Sequence, residues 1–121
     1  MKTIIRQIAL CIALQVCCAQ AYAHAFLDRA SPAVGSTVHG SPGEIRLCFS
    51  VPLEHAFSTV KVLDKAGRQV DGTHKHVERS DPTQIKLSVP PLAHGTYRVV
   101  WHVLSADKHA AEGDFTFDVA P

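Results

Sequence analysis

The chain has 121 residues, 46% of them hydrophobic and 19% charged, with a formal charge of +1. That length holds one domain and excludes two, and the hydrophobic share excludes a wholly disordered chain. The near-even charge balance gives no electrostatic footing for nucleic acid, so no such partner is expected.

In chain order, residues 1–23 read as a secretory signal peptide. Lys2 and Arg6 form a basic start, an apolar run from Ile8 to Cys18 is interrupted by Gln15, and Ala21-Tyr22-Ala23 fits the small-x-small cleavage rule. The run is too short for a comfortable membrane span, so no membrane insertion is expected after cleavage. Removing 23 residues from 121 leaves 98, residues 24–121, as one domain that begins at His24. The loss of Lys2 and Arg6 leaves ten basic residues against eleven acidic ones, a charge of −1. Cys11, Cys17 and Cys18 depart with the signal, so Cys48 stands alone and no internal disulfide can form. Met1 is the single methionine, and all eight histidines stay in the mature chain.

Period-two alternation then recurs, and no stretch shows convincing helical periodicity. Ala25 to Arg29 reads as a first strand. Glu44 to Val51 places Ile45, Leu47, Phe49 and Val51 on one face, with Cys48 on the other. Phe57 to Leu63 follows, centred on Val60 and Val62, and Gln84 to Val89 alternates cleanly. Tyr97, Val99, Trp101 and Val103 share a face in the next strand; Phe115, Phe117 and Val119 share one in the last. Ser31-Pro32-Ala33-Val34-Gly35, Ser41-Pro42-Gly43, Asp64-Lys65-Ala66-Gly67, Asp81-Pro82, Pro90-Pro91 and His94-Gly95 separate them as turns. The pattern predicts an all-β, antiparallel Greek-key β-sandwich. Trp101 belongs to its core, and Tyr97 fits a corner tyrosine.

Two features carry chemistry. Ser105-Ala106-Asp107-Lys108-His109 lies between the Trp101 strand and the last strand. In an extended segment, Asp107 and His109 would point to one side with Cα atoms roughly 6.5–7 Å apart, so a carboxylate and an imidazole could converge on one ion. His24 would open the mature chain, where its α-amine and Nδ1 can close a six-membered chelate ring. Three nitrogens and one oxygen suit Cu(II), which tops the Irving–Williams order; Zn(II) is the alternative, though it more often takes tetrahedral His or Cys ligands. In sandwiches of this kind the first and last strands often run as parallel neighbours, which would bring His24, Asp107 and His109 to one end. His74-Lys75-His76 reads as a solvated loop, with a weak accessory metal site as the lesser alternative. His39, His55, His94 and His102 read as surface or turn residues, His102 with a further option of supporting the site. Cys48 reads as a partly covered free thiol.

The mature chain resembles the CopC-type periplasmic copper-binding proteins over nearly its whole length. The matching pieces are His24 directly after the signal, Ser31-Pro32-Ala33 followed by Gly35, Ile45 to Ser50, Gly95 to Trp101, and Ser105 to His109 with Gly113 and Phe115-Thr116-Phe117 after it. The resemblance implies a cupredoxin-like β-sandwich that binds one Cu(II) through His24, Asp107 and His109 and serves copper homeostasis or resistance. It also implies a periplasmic location and work alongside a CopD-type inner-membrane protein. Some members carry a second, methionine-rich Cu(I) site; with no mature methionine, that site is not expected here.

Two other classes compete. An immunoglobulin-like scaffold or adhesion module would bind no copper tightly, and His24→Ala would be silent. An oxidative enzyme with a copper brace would also begin with histidine. The short chain leaves little material for a broad substrate face, and Asp107 would fill a copper position that oxygen chemistry needs open, so no catalysis is expected.

Overall fold

Ile45, Leu47 and Phe49 alternate with Glu44, Arg46 and Cys48, and the three apolar side chains are buried. The same rule builds the rest of the domain. The computed structural model describes residues 25–72 and 81–121. Among them are seven strands: β1 (Leu27–Ser31), β2 (Thr37–His39), β3 (Glu44–Phe49), β4 (Thr59–Leu63), β5 (Gln84–Ser88), β6 (Gly95–Leu104) and β7 (Ala110–Ala120). A 3-10 turn, His55–Phe57, precedes β4. No helix among the described residues is long and apolar enough to cross a membrane.

The strands form two sheets, ordered β1-β3-β5 and β2-β7-β6-β4. Their inward residues join in one core that includes Ile45, Leu47, Val62, Ile85, Leu87, Val99 and Phe117. Trp101 of β6 meets Phe49 of β3 edge to face, with centroids 5.2 Å apart, so this pair ties the two sheets together. The indole lies across Gly113, its cross-strand partner in β7. Tyr97 donates its hydroxyl to the Ala93 carbonyl at 2.7 Å, the corner bond expected of it.

The expected strands are present, with adjusted ends. β1 starts at Leu27 rather than Ala25, and β4 starts at Thr59 after the 3-10 turn. β2 was not foreseen: three residues with one half-buried apolar side chain, Val38, offer no readable alternation. Gly35 and Gly40, at φ +71° and +82°, turn the chain at either side of it.

The expected pairing of first and last strands is corrected. β7 has a parallel neighbour, but it is β2, from Thr37 beside Asp118 to His39 beside Ala120. β1 lies in the other sheet, antiparallel to β3. Its start nonetheless reaches the end of the sandwich where β6 turns into β7. The Ser50 amide donates to the Phe26 carbonyl at 2.9 Å, and the Phe26 amide donates to Ser50 Oγ at 3.0 Å. Two residues on, the Ala106 amide donates to the Pro52 carbonyl at 2.9 Å, and Leu53 bridges Ser105. The segment Ser50–Leu53 therefore links the beginning of β1 to the β6–β7 turn.

Candidate metal centre

β6 and β7 are an antiparallel hairpin whose last pair is Leu104 with Ala110. The five residues between them make a closed turn. The Ser105 amide donates to the His109 carbonyl and the Lys108 amide to the Ser105 carbonyl, each at 2.9 Å. Lys108 takes a left-handed conformation, φ +73°, which reverses the chain between Asp107 and His109. The two candidate ligands thus sit on a turn, which corrects the extended segment expected from the sequence. They still meet: His109 Nδ1 lies 3.2 Å from Asp107 Oδ1, and both side chains are half exposed.

Ser105 stands beneath this pair. Its side chain continues the inward series of Tyr97, Val99, Trp101 and Val103, and it is 2% exposed. The hydroxyl donates to Asp107 Oδ1, lies 3.0 Å from the His109 carbonyl, and accepts the His109 amide at 3.1 Å. That amide also approaches Asp107 Oδ1 at 3.4 Å. The Ser105 hydroxyl, followed by the His109 ring and amide, holds the Asp107 carboxyl below the ordinary carboxylate range. Lys108 pairs with Glu54 at 3.2 Å, and the Glu54 amide donates to the Leu104 carbonyl at 2.8 Å. The turn is therefore tied to the chain that crosses the end of the sandwich.

The donor chemistry fits a metal ion: the carboxylate offers hard oxygen and the imidazole beside it offers nitrogen. His24 lies outside the described residues, as do His74, His76 and the signal segment. Ala25, which follows His24, is buried at the same end of the fold, 4% exposed. Among the described residues no group of three or more His, Cys, Asp or Glu side chains gathers to hold a metal. Asp107 and His109 are two.

The other expected residues lie elsewhere. His102 pairs with Glu112 at 3.0 Å on the outer face of the four-stranded sheet, so it gives the turn no support. His55 Nε2 bonds the Gln84 carbonyl at 2.9 Å, and His39 Nδ1 meets the Pro121 oxygen at 3.2 Å. Cys48 is a half-buried free thiol on the outer face of the three-stranded sheet, where the Gln84 side-chain amide donates to it at 3.2 Å. Ser105 and Glu54 were given no role from the sequence. Ser105 had a legible signal, since a polar residue on the apolar face of a strand requires partners; Glu54 had none.

The CopC domain model matches residues 27–120. Copper resistance protein C of Pseudomonas syringae pv. tomato is 35% identical over 107 residues, covering 84% of each chain. The crystal structure of CopC from Methylosinus trichosporium OB3b superposes with a TM-score of 0.76 at 37% identity, over 81% of this chain and 95% of that one. PcoC, a methionine-rich copper resistance protein from Escherichia coli, superposes with a TM-score of 0.70 at 32% identity, over 81% of this chain and all of PcoC.

Proposed function

The chain belongs to the CopC domain family, and from that premise we propose that it is a periplasmic Cu(II)-binding protein of copper homeostasis or resistance. One Cu(II) is held by His24, through its α-amine and imidazole, together with Asp107 and His109. The observation that carries the reading is the turn itself, which brings a carboxylate and an imidazole within 3.2 Å of each other at the end of the sandwich where Ala25 is anchored. The copper resistance relatives support the choice of metal.

The proposal includes cleavage after Ala23, because an internal His24 would offer an amide nitrogen in place of an amine. The protein acts as a carrier rather than a catalyst, since Asp107 takes a copper position that oxygen activation requires open. PcoC is described as methionine rich, whereas the chain from His24 onward has no methionine, so no thioether Cu(I) site is assigned. A CopD-type inner-membrane protein is the proposed exchange partner.

The test is a Cu(II) titration of protein that starts at His24, beside His24→Ala, His109→Ala and a form with one extra residue before His24. The processed protein should take one Cu(II) in a nitrogen-rich site and release protons as it does so. The extended form should bind far more weakly. Equal affinity in the extended form would refute the role of the amine, and a silent His109→Ala would refute the turn as the site.

A further inference from the structure

We propose that Ser105 is the positioning residue of the metal site: its buried hydroxyl sets the geometry of Asp107 and His109 before copper arrives. The inference rests on the reading that these two residues are ligands. Ser105 is 2% exposed, and as the first residue after β6 it continues that strand's inward apolar series with a polar side chain. One hydroxyl touches three groups of the turn: Asp107 Oδ1, the His109 carbonyl at 3.0 Å and the His109 amide at 3.1 Å. Each contact has a consequence. The bond to Oδ1 fixes the rotamer of Asp107, and Oδ1 in turn faces His109 Nδ1 at 3.2 Å. The bond from the His109 amide fixes the backbone from which the imidazole projects. Both side chains are half exposed. A hydroxyl anchored in the core adds a restraint from beneath.

Ser58 provides the control. It is equally buried, at 1% exposed, and near the same end, but its hydroxyl bonds the Glu54 carbonyl at 2.9 Å and the Leu104 amide at 3.1 Å. Loss of either hydroxyl should lower stability; loss of Ser105, which bonds the candidate ligands directly, should disturb copper more.

The experiment uses protein starting at His24 and cupric ion alone. It compares wild type, Ser105→Ala, Ser105→Thr and Ser58→Ala by copper affinity, Cu(II) electron paramagnetic resonance and thermal unfolding of the metal-free form. Ser105→Ala should bind about 10–100-fold more weakly, the range for groups that orient metal ligands, with an altered copper spectrum in the folded protein. Ser105→Thr should restore the wild-type spectrum, and Ser58→Ala should melt lower with a smaller spectral change than Ser105→Ala. A folded Ser105→Ala with wild-type affinity and spectrum overturns the inference, as does an equal spectral change in Ser58→Ala. In metal-free wild type, the His109 amide should resist hydrogen exchange; fast exchange overturns the inference even if Ser105→Ala does not fold. Wild type that binds no Cu(II) removes the copper reading itself, a result distinct from an unaltered Ser105→Ala site on a copper-binding wild type.

Discussion

Gly113 shows how a single residue is required by its neighbour. A Cβ built there would lie 2.3 Å from Trp101 Cζ2 and 2.8 Å from Cε2. Both atoms belong to a rigid ring wedged against Phe49, so the ring cannot yield as a flexible chain end would. Gly113→Ala should therefore destabilise the fold by about 1–3 kcal/mol or more, the range for overpacking a filled core. Urea unfolding followed by the fluorescence of Trp101, the single tryptophan, measures it; an unchanged midpoint would show that the indole has room to shift. Gly113 was noticed in the sequence only as part of a motif. Its necessity became visible once β6 and β7 were in register and Trp101 stood opposite.

At the level of the element, β6 is a strand with a different task at each end. At its beginning Tyr97 stacks on Phe117 with ring centroids 5.8 Å apart, and its hydroxyl reaches back four residues to the Ala93 carbonyl. At its end Leu104 leads into the Ser105–His109 turn. Tyr97→Phe keeps the ring and removes only the hydroxyl bond, which should cost about 1 kcal/mol of stability. Copper affinity should stay at the wild-type value, because the change lies at the opposite end of the strand. A tenfold loss of Cu(II) binding in this variant would mean that the two ends are coupled. The alternation that identifies β6 is legible because both its apolar face and its polar face are long. β2 was illegible for the converse reason: three residues hold too few side chains to establish a period, and its place beside β7 comes from tertiary pairing.

At the scale of the whole molecule, the domain is held by its apolar core and by turns clipped with carboxylates. Asp64 accepts the amides of Ala66 and Arg68, each at 2.9 Å, and Asp81 accepts the Thr83 amide at 3.0 Å and its hydroxyl at 2.7 Å. The Arg68 amide is the first cause that lowers the Asp64 carboxyl below its ordinary value of 3.8, and the Thr83 hydroxyl is the first for Asp81. A depressed folded-state value means that the stabilisation is complete above pH 3.8 and is lost as pH falls through the lower folded values. Resistance of the metal-free protein to urea should hold level from neutral pH into the mild acid range and fall once pH passes below 3.8. Asp64→Asn with Asp81→Asn should flatten that fall; an identical acid profile in the double variant would show that other groups govern it.

The strands with long alternation, the core faces, the corner tyrosine, the burial of Trp101 and the family to which the chain belongs were all legible in one dimension. These follow from side-chain period and turn chemistry, which are local and survive in one dimension. Three facts needed the folded chain: β1 leaves β7 to β2, Asp107 and His109 meet across a left-handed Lys108, and Ser105 lies beneath them. Those facts depend on which strands exchange hydrogen bonds and on how a turn closes over the core, and both are set by contacts between residues far apart in the chain.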